Sequence, residues 1–237
     1  MYIGSDNYAS DTTFKPTDSS ETAVLNSNQP DTLVTFEQIG ARLRFKRGQM
    51  IYADGDMADS WYRVVLGTVR ICNLLRDGRR HIAQFSFPGD CFGLSAFATR
   101  AGSAEAIDEV VVTRYSKRDA DSLIDENPRL ARELYNQTLC ELANTQWRTL
   151  LLGRMYASER VASFLIEVFN RRDARHTLDL PMTRYDIADY LGLTLETVCR
   201  ELTALKRDGV IASSGGRSKR IELRNQDALK TLCEGVR

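Results

Sequence analysis

The chain has 237 residues, 43% of them hydrophobic, which is long for one core and sufficient for two domains. Its 32 basic and 32 acidic residues cancel, which argues against a protein that coats nucleic acid, and no apolar run is long enough to span a membrane. The opening sequence MYIGSDNYAS lacks the basic and apolar regions of a signal peptide, so we expect a cytoplasmic protein.

The N-terminal segment is polar. Residues 1–31 are rich in Ser, Thr, Asn and Asp, and we predict a poorly ordered tail there. The next segment, from Leu33 to Ile39, is expected to pack on the domain that follows. Before Gly40 the chain has six acidic residues and one lysine, so this end offers no positive surface to phosphate.

An all-β domain is predicted next, within residues 32–127. From about Arg42 to Ser116, short apolar or alternating runs are separated by glycine turns, as in a β-sandwich or jelly roll. Asp77-Gly78 marks a hairpin between two of the strands. The predicted strands are RLRF, MIYA, WYRVVLG, TVRICNLL, HIAQFSF and EVVVTRY. Asp119 to Asn127 is expected to turn the chain into the next element.

A metal-dependent cupin enzyme is the main rival for a roll of this kind. Cupins hold their metal with two or three histidines and a carboxylate on neighbouring strands. This chain has two histidines, His81 and His176, which are predicted to lie in different domains. The sequence also lacks a P-loop, a nucleophile elbow and a close Cys/His pair, so we expect no enzyme, no catalytic residue and no metal site.

A long helix is predicted over residues 128–153, beginning at Pro128, which suits a first helical position. It is apolar in more than one direction, so it must be buried on more than one side. The expected partners are the roll and the same helix of a second subunit, which predicts a C2 homodimer. The alternative is a helix buried entirely inside a monomer. The main stripe consists of Ala131, Tyr135, Leu139, Leu142, Gln146 and Leu150.

The domain at 154–237 contains two short helices joined by a tight turn. Thr183 is positioned to cap the first helix with Asp186 three residues later, and Gly192 lies at the turn. Thr194 is positioned to cap the second helix, which should end at Asp208-Gly209. This pattern is typical of a helix-turn-helix. A preceding helix from Ser158 is expected to pack behind it, and a short helix is expected to end the chain.

The second helix is predicted to read DNA. Its first turns expose Glu196, Cys199 and Arg200, with Leu195 beside them. Arginine can bond guanine through two hydrogen bonds, and glutamate can accept one from the cytosine amino group. The alternative is an ordinary surface ion pair between Glu196 and Arg200, four residues apart.

A winged hairpin is predicted after the second helix. Val210-Ile211 begins a strand, and KRIEL returns after a turn. From Thr194 to Arg224 the chain has seven basic and four acidic residues. Positive charge is therefore concentrated in the segment that is expected to contact phosphate. The predicted phosphate contacts are Thr183, Thr194, Thr197, Arg217, Lys219 and Arg220.

The stretch DIADYLGLTLETVCREL resembles the DNA-binding motif of the CRP/FNR superfamily of transcription regulators, and its FixK-like branch in particular. That branch carries E-x-x-S-R in the recognition helix, where this chain has Glu196, Cys199 in place of serine, and Arg200. The resemblance implies an α+β protein with a cyclic-nucleotide-binding-type β jelly roll, a long dimerisation helix and a winged helix-turn-helix. It also implies a TTGAT-N4-ATCAA palindrome, activation through RNA polymerase, and control of low-oxygen or nitrogen-fixation genes.

The resemblance raises two effectors, and the residues argue against both. FNR proteins hold an iron–sulfur cluster with N-terminal cysteines, but the first 71 residues here contain none. The family's phosphate cassette has Gly-Glu and then Arg-Ser, whereas FGLSAFATRAGSAEAI has Leu94 for the glutamate and Ala104-Glu105 for Arg-Ser. Arg100 is interpreted as a loop residue. We therefore expect no cofactor and no cyclic nucleotide, and a small ligand in the roll stays open as the alternative.

The five cysteines are scattered without C-x-x-C spacing, which favours reduced thiols. Cys199 carries a sharper hypothesis, because a thiol near Arg200 and a helix N-terminus is favoured as the reactive thiolate. Oxidation there would place bulk or negative charge against DNA. The alternative is an inert stand-in for serine.

Overall fold

The computed structural model describes residues 40–172, 177–213 and 220–234. The predicted tail at 1–31, the segment from Leu33 to Ile39, and His176, Arg217 and Lys219 lie outside these residues. None of the helices in the described ranges is long and apolar enough to cross a membrane.

Eight strands form the N-terminal roll in two antiparallel sheets, with the orders β1-β8-β3-β6 and β2-β7-β4-β5. Residues of both sheets, among them Val64, Val69, Ala104 and Val112, form the core between them. The strands are β1 (Ala41–Phe45), β2 (Met50–Tyr52), β3 (Ser60–Leu66), β4 (Val69–Leu74), β5 (Arg80–Ser86), β6 (Cys91–Phe92), β7 (Ser103–Ala106) and β8 (Val110–Ser116).

All six predicted strands are present, and the structure adds β6 and β7. Strand β6 has only two residues, too few to show an alternation. The inward-facing residues of strand β7 are Ala104 and Ala106, and both are fully buried. Because neither is a large apolar residue, the sequence of this strand lacks the pattern that predicts a strand.

Three helices follow the roll: α1 (Lys117–Glu126), α2 (Pro128–Arg154) and α3 (Ala157–Arg171). The expectation that Asp119 to Asn127 forms only a turn is wrong, since most of it is α1. This ten-residue helix has few apolar positions, but Ile124 packs against the stacked rings of Trp61 and Tyr115.

Helix α2 is buried on one side and open on the other. Leu151 is buried, whereas Tyr135, Leu139, Leu142 and Leu150 remain exposed. The alternative in which this helix is buried entirely inside one chain is therefore wrong for the main stripe. The exposed side chains form an apolar face along the helix.

The C-terminal head consists of β9 (Thr177–Asp179), α4 (Arg184–Leu191), α5 (Leu195–Arg207), β10 (Ile211–Ser213), β11 (Arg220–Leu223) and α6 (Gln226–Glu234). Its antiparallel sheet has the order β10-β11-β9, with Ile211 opposite Leu223, so the predicted winged hairpin is present. Strand β9 was not predicted, because within three residues only Leu178 is buried.

The roll and the head share one hydrophobic core. Phe85 of β5 lies 5.1 Å from Tyr190 of α4 and 6.3 Å from Phe164 of α3, measured between ring centroids. The head is thus packed directly on the β4–β5 side of the roll.

Candidate nucleic-acid interface

Helix α4 begins with a reciprocal cap. The Asp186 amide donates to Thr183 Oγ1 at 3.1 Å, and Asp186 Oδ2 accepts from the Thr183 amide at 2.9 Å and from its hydroxyl at 2.8 Å. This is the predicted capping box, which satisfies free amides at the helix start. Gly192 follows the helix at φ 61°, a left-handed conformation that favours glycine, and the predicted turn is confirmed.

Helix α5 is buried on one side and exposed to solvent on the other. The Thr197 amide donates to Thr194 Oγ1 at 3.2 Å, which confirms the predicted cap. Val198, Leu202 and Leu205 are buried under the helix. The outward side chains of its first turns are exposed, and they are Glu196, Cys199, Arg200 and Thr203.

The exposed face carries one acidic residue, Glu196, and one basic residue, Arg200. Hydrogen bonds from its own backbone amide and from the Thr194 side chain lower the pKa of Glu196, so its carboxylate is an acceptor at neutral pH. Arg200 donates to Glu201 at 3.2 Å from Nε and 3.1 Å from Nη2. The predicted alternative partner Glu196 is thus not the carboxylate that Arg200 bonds.

The other predicted contacts surround this face. Thr183 and Thr194 are exposed, while Leu195 and Thr197 are half-buried. Arg220 is exposed on the wing strand, where its Nη2 lies 3.3 Å from Asp179 Oδ2. Arg217 and Lys219 lie outside the described residues.

Cys199 interacts electrostatically with Arg184, a residue that the sequence did not indicate. Burial lowers the pKa of Arg184, and an electrostatic interaction with Cys199 opposes that shift. The Nη1 atom of Arg184 is buried without a hydrogen-bond partner in the structure. The thiol lies on an exposed helix surface.

The roll holds a cavity of about 300 Å³. Arg100 lines it and lies in the loop between β6 and β7, as predicted, although the residue is only 5% exposed. The guanidinium donates to the carbonyls of Gly93 and Ser60 and lies 4.4 Å from the ring centre of Tyr52. The guanidinium of Arg100 is thus already bonded to the roll itself.

Glu105 stands where the cassette serine is expected, but it does not line the cavity. It lies beside Arg70 on the outer face of the sheet, with its Oε2 2.8 Å from Arg70 Nη2, so its charge is directed away from the cavity. Within the described ranges no group of three His, Cys, Asp or Glu side chains is placed to hold a metal ion.

Arg70 and Arg80 are the residues that sequence reasoning missed. Both reach from the roll to the head and bond Asp186 Oδ1, at 2.6 and 2.7 Å. Arg80 also bonds Asp189 at 2.7 Å. No local pattern announces these pairs, since Arg70 and Asp186 are 116 positions apart.

Two family models cover most of the described chain. The Crp-like helix-turn-helix domain matches residues 159–232, and the cyclic nucleotide-binding domain matches residues 42–127. The nitrogen fixation regulation protein FixK of Rhizobium meliloti is 41% identical over 189 residues, covering 80% of this chain and 85% of that protein. FixK of Bradyrhizobium diazoefficiens is 40% identical over 194 residues, covering 80% and 82%.

A solved structure shows the same architecture. The structure of FixK2 from Bradyrhizobium japonicum matches with a TM-score of 0.77 and 40% identity, covering 82% of this chain and 97% of that one. A cyclic-nucleotide-type roll joined by a long helix to a helix-turn-helix defines a DNA-binding transcription regulator, and the chain belongs to the CRP/FNR family. Within that family it is FixK-like, at 40–41% identity to the FixK proteins.

Proposed function

We propose that the chain is a homodimeric transcription activator that binds a TTGAT-N4-ATCAA palindrome in the cytoplasm without cyclic nucleotide or iron–sulfur cluster. It recruits RNA polymerase to genes of low-oxygen metabolism or nitrogen fixation, the process named in its FixK relatives. The observation that carries the proposal is the exposed face of α5, with Glu196 and Arg200 one helical turn apart.

Base reading follows from the chemistry of this face. The N-terminal turns of a recognition helix enter the major groove, where Arg200 bonds guanine and Glu196 accepts from cytosine. The ion pair between Arg200 and Glu201 is exposed on the arginine side, so exchanging it for a base costs little. Thr183, Thr194, Thr197 and the wing cations Arg217, Lys219 and Arg220 contact phosphate and set the register.

The dimer is supported by the open face of α2. Tyr135, Leu139, Leu142 and Leu150 are 39–63% exposed in the single chain. A run of apolar side chains of this kind marks an interaction surface. A C2 pair built on it presents two recognition helices to the two halves of a palindrome.

The roll supports regulation without a nucleotide. Its cavity cation, Arg100, is committed to two backbone carbonyls and an aromatic face, and Leu94 replaces the cassette glutamate. The cavity itself favours a second candidate, a regulator of the same architecture that senses a small apolar ligand. Leu94 and Phe97 line it and are 53% and 72% exposed.

Thiol control through Cys199 is part of the proposal. The thiol is exposed on the DNA-facing helix, and Arg184 interacts with it. Peroxide oxidises an exposed thiol to sulfenic or sulfinic acid, which would place bulk or negative charge against DNA. The inert alternative predicts that Cys199→Ser and the parent lose DNA binding equally when peroxide is added, and an equal loss would remove Cys199 as the switch.

The experiment is fluorescence anisotropy of the reduced protein on the palindrome and on a half-site-scrambled duplex, in air and without effector. Specific nanomolar binding supports the proposal. Binding that appears only after a ligand is added supports the second candidate. Equal affinity for both duplexes in the absence of any ligand contradicts the first proposal.

A further inference from the structure

A charged bridge joins the roll to the head on the outer face of the β4–β7 pair. Arg70 of β4 lies beside Glu105 of β7, and its two terminal nitrogens bond different carboxylates. Nη2 bonds Glu105 at 2.8 Å and Nη1 bonds Asp186 of α4 at 2.6 Å. The side chains of Arg70 and Asp186 are 15% and 3% exposed, so solvent screens this link weakly.

The two carboxylate oxygens of Asp186 accept hydrogen bonds from different parts of the molecule, one from the roll and the other from the start of helix α4. Oδ1 accepts from Arg70 and Arg80, while Oδ2 accepts from the amide and the hydroxyl of Thr183. A continuous set of hydrogen bonds therefore runs from Glu105 through Arg70 and Asp186 to Thr183. Its last member stands at the first turn of the helix-turn-helix.

The bridge leaves the recognition face free. It holds α4, whereas Glu196, Cys199 and Arg200 of α5 remain exposed. A contact that blocked DNA would have to cover α5, so the bridge fixes the head without closing it.

We infer that Arg70 is a positioning residue: the Glu105–Arg70–Asp186 bridge sets the orientation of the head on the roll, so that the spacing of the two recognition helices needs no bound ligand. This inference rests on the proposed function, because it assigns the bridge a role in reading a palindrome. Arg80 supports the same carboxylate from the neighbouring strand and adds a second link to Asp189.

We expect the bridge to affect the distance between the two recognition helices and not the contacts that each helix makes with bases. Half-site spacing is set by how the two heads are held, whereas binding to one half-site depends on the head alone. A head released from the roll still recognises TTGAT but tolerates a wrong distance between two copies. A purely stabilising role would weaken every duplex in proportion.

The test compares Arg70→Met with Arg79→Met, which removes the same charge from an exposed hairpin arginine paired with Asp77. Anisotropy is measured on a single half-site and on palindromes whose spacer is correct, two base pairs shorter or two longer. For Arg70→Met we expect the preference for the correct spacer to fall about tenfold while half-site binding stays within about twofold. Arg79→Met should match the parent. Glu105→Gln, at a partly exposed position, should shift the preference in the same direction and serves if Arg70→Met does not fold.

Hydrogen exchange of the amides at 183–191 gives a second readout that needs no DNA. We expect faster exchange in Arg70→Met and Glu105→Gln, and unchanged exchange in Arg79→Met. Unchanged exchange, an unaltered spacer preference, or an equal loss on all duplexes each overturns the inference. A parent without preference for any palindrome overturns the proposed function instead, and the exchange rates then decide separately whether the bridge holds the head.

Discussion

Arg200 stands at the centre of the proposed base contacts, and its planar fork distinguishes it from lysine. It is exposed, and within the described part of the chain it pairs only with the adjacent Glu201, so it can turn toward a guanine. Arg200→Lys keeps the charge but loses the bidentate geometry, so specific binding should weaken by about 1–3 kcal/mol. Binding to scrambled DNA should hardly change, because the phosphate attraction is retained. Anisotropy on both duplexes measures the two effects, and an equal loss on both would show that Arg200 contacts only the backbone.

Asp186 makes the stability of the molecule sensitive to acid. Burial raises the pKa of Asp186, but hydrogen bonds from Thr183 and the charges of Arg70 and Arg80 outweigh it, and the pKa is lowered overall. A carboxyl whose pKa is lowered by folding stabilises the folded state at any pH above its ordinary pKa of about 3.9. This contribution is lost as the pH falls through the lowered pKa of the folded state.

Asp186→Asn should therefore cost about 3 kcal/mol near neutral pH, since it leaves two arginines with a weaker partner. Urea unfolding of parent and variant at pH 7, 4 and 3 measures the difference. The gap should narrow toward pH 3, and a gap that stays constant would show that the carboxylate charge is not its source.

Helix α2 is the element on which oligomeric state depends. Leu142 is 53% exposed at the middle of its open face. Leu142→Glu should give a monomer in sedimentation velocity, because two buried carboxylates would face each other across the C2 axis. Asn144→Glu, on the opposite side of the helix and also exposed, is the control and should remain a dimer. If Leu142→Glu also sediments as a dimer, the subunits meet through another surface.

The elements differ in how far the sequence predicts them, and the reason is the range of the forces involved. Helices α4 and α5 are predictable because Thr183, Gly192 and Thr194 act within one or two turns. Strand β9 is not, since its place depends on pairing with β11, in which Leu178 lies opposite Ile221. The bridge from Arg70 to Asp186 cannot be predicted from the sequence for the same reason, because its residues come together only when the head packs on the roll.

At the scale of the whole molecule, β5 joins the two domains twice, by apolar and by polar contacts. Phe85 packs on Phe164 and Tyr190. Beside it, Arg148 of α2 donates to the Ala83 carbonyl at 2.6 Å and to the Tyr190 hydroxyl at 3.2 Å. Roll, long helix and head are thus coupled at one seam, which is the physical basis for treating the head as pre-positioned.

This coupling predicts how the protein unfolds. The parent should show one calorimetric transition, because neither domain can leave the shared core alone. Phe85→Ala removes a ring that is 3% exposed and should cost about 3–5 kcal/mol, and it should split the transition in two, since the lost contacts lie between the domains. Phe92→Ala is the matched control, because Phe92 is 2% exposed but packs inside the roll. It should lower the transition temperature without splitting head from roll, and identical thermograms for the two variants would mean that the seam does not couple the domains.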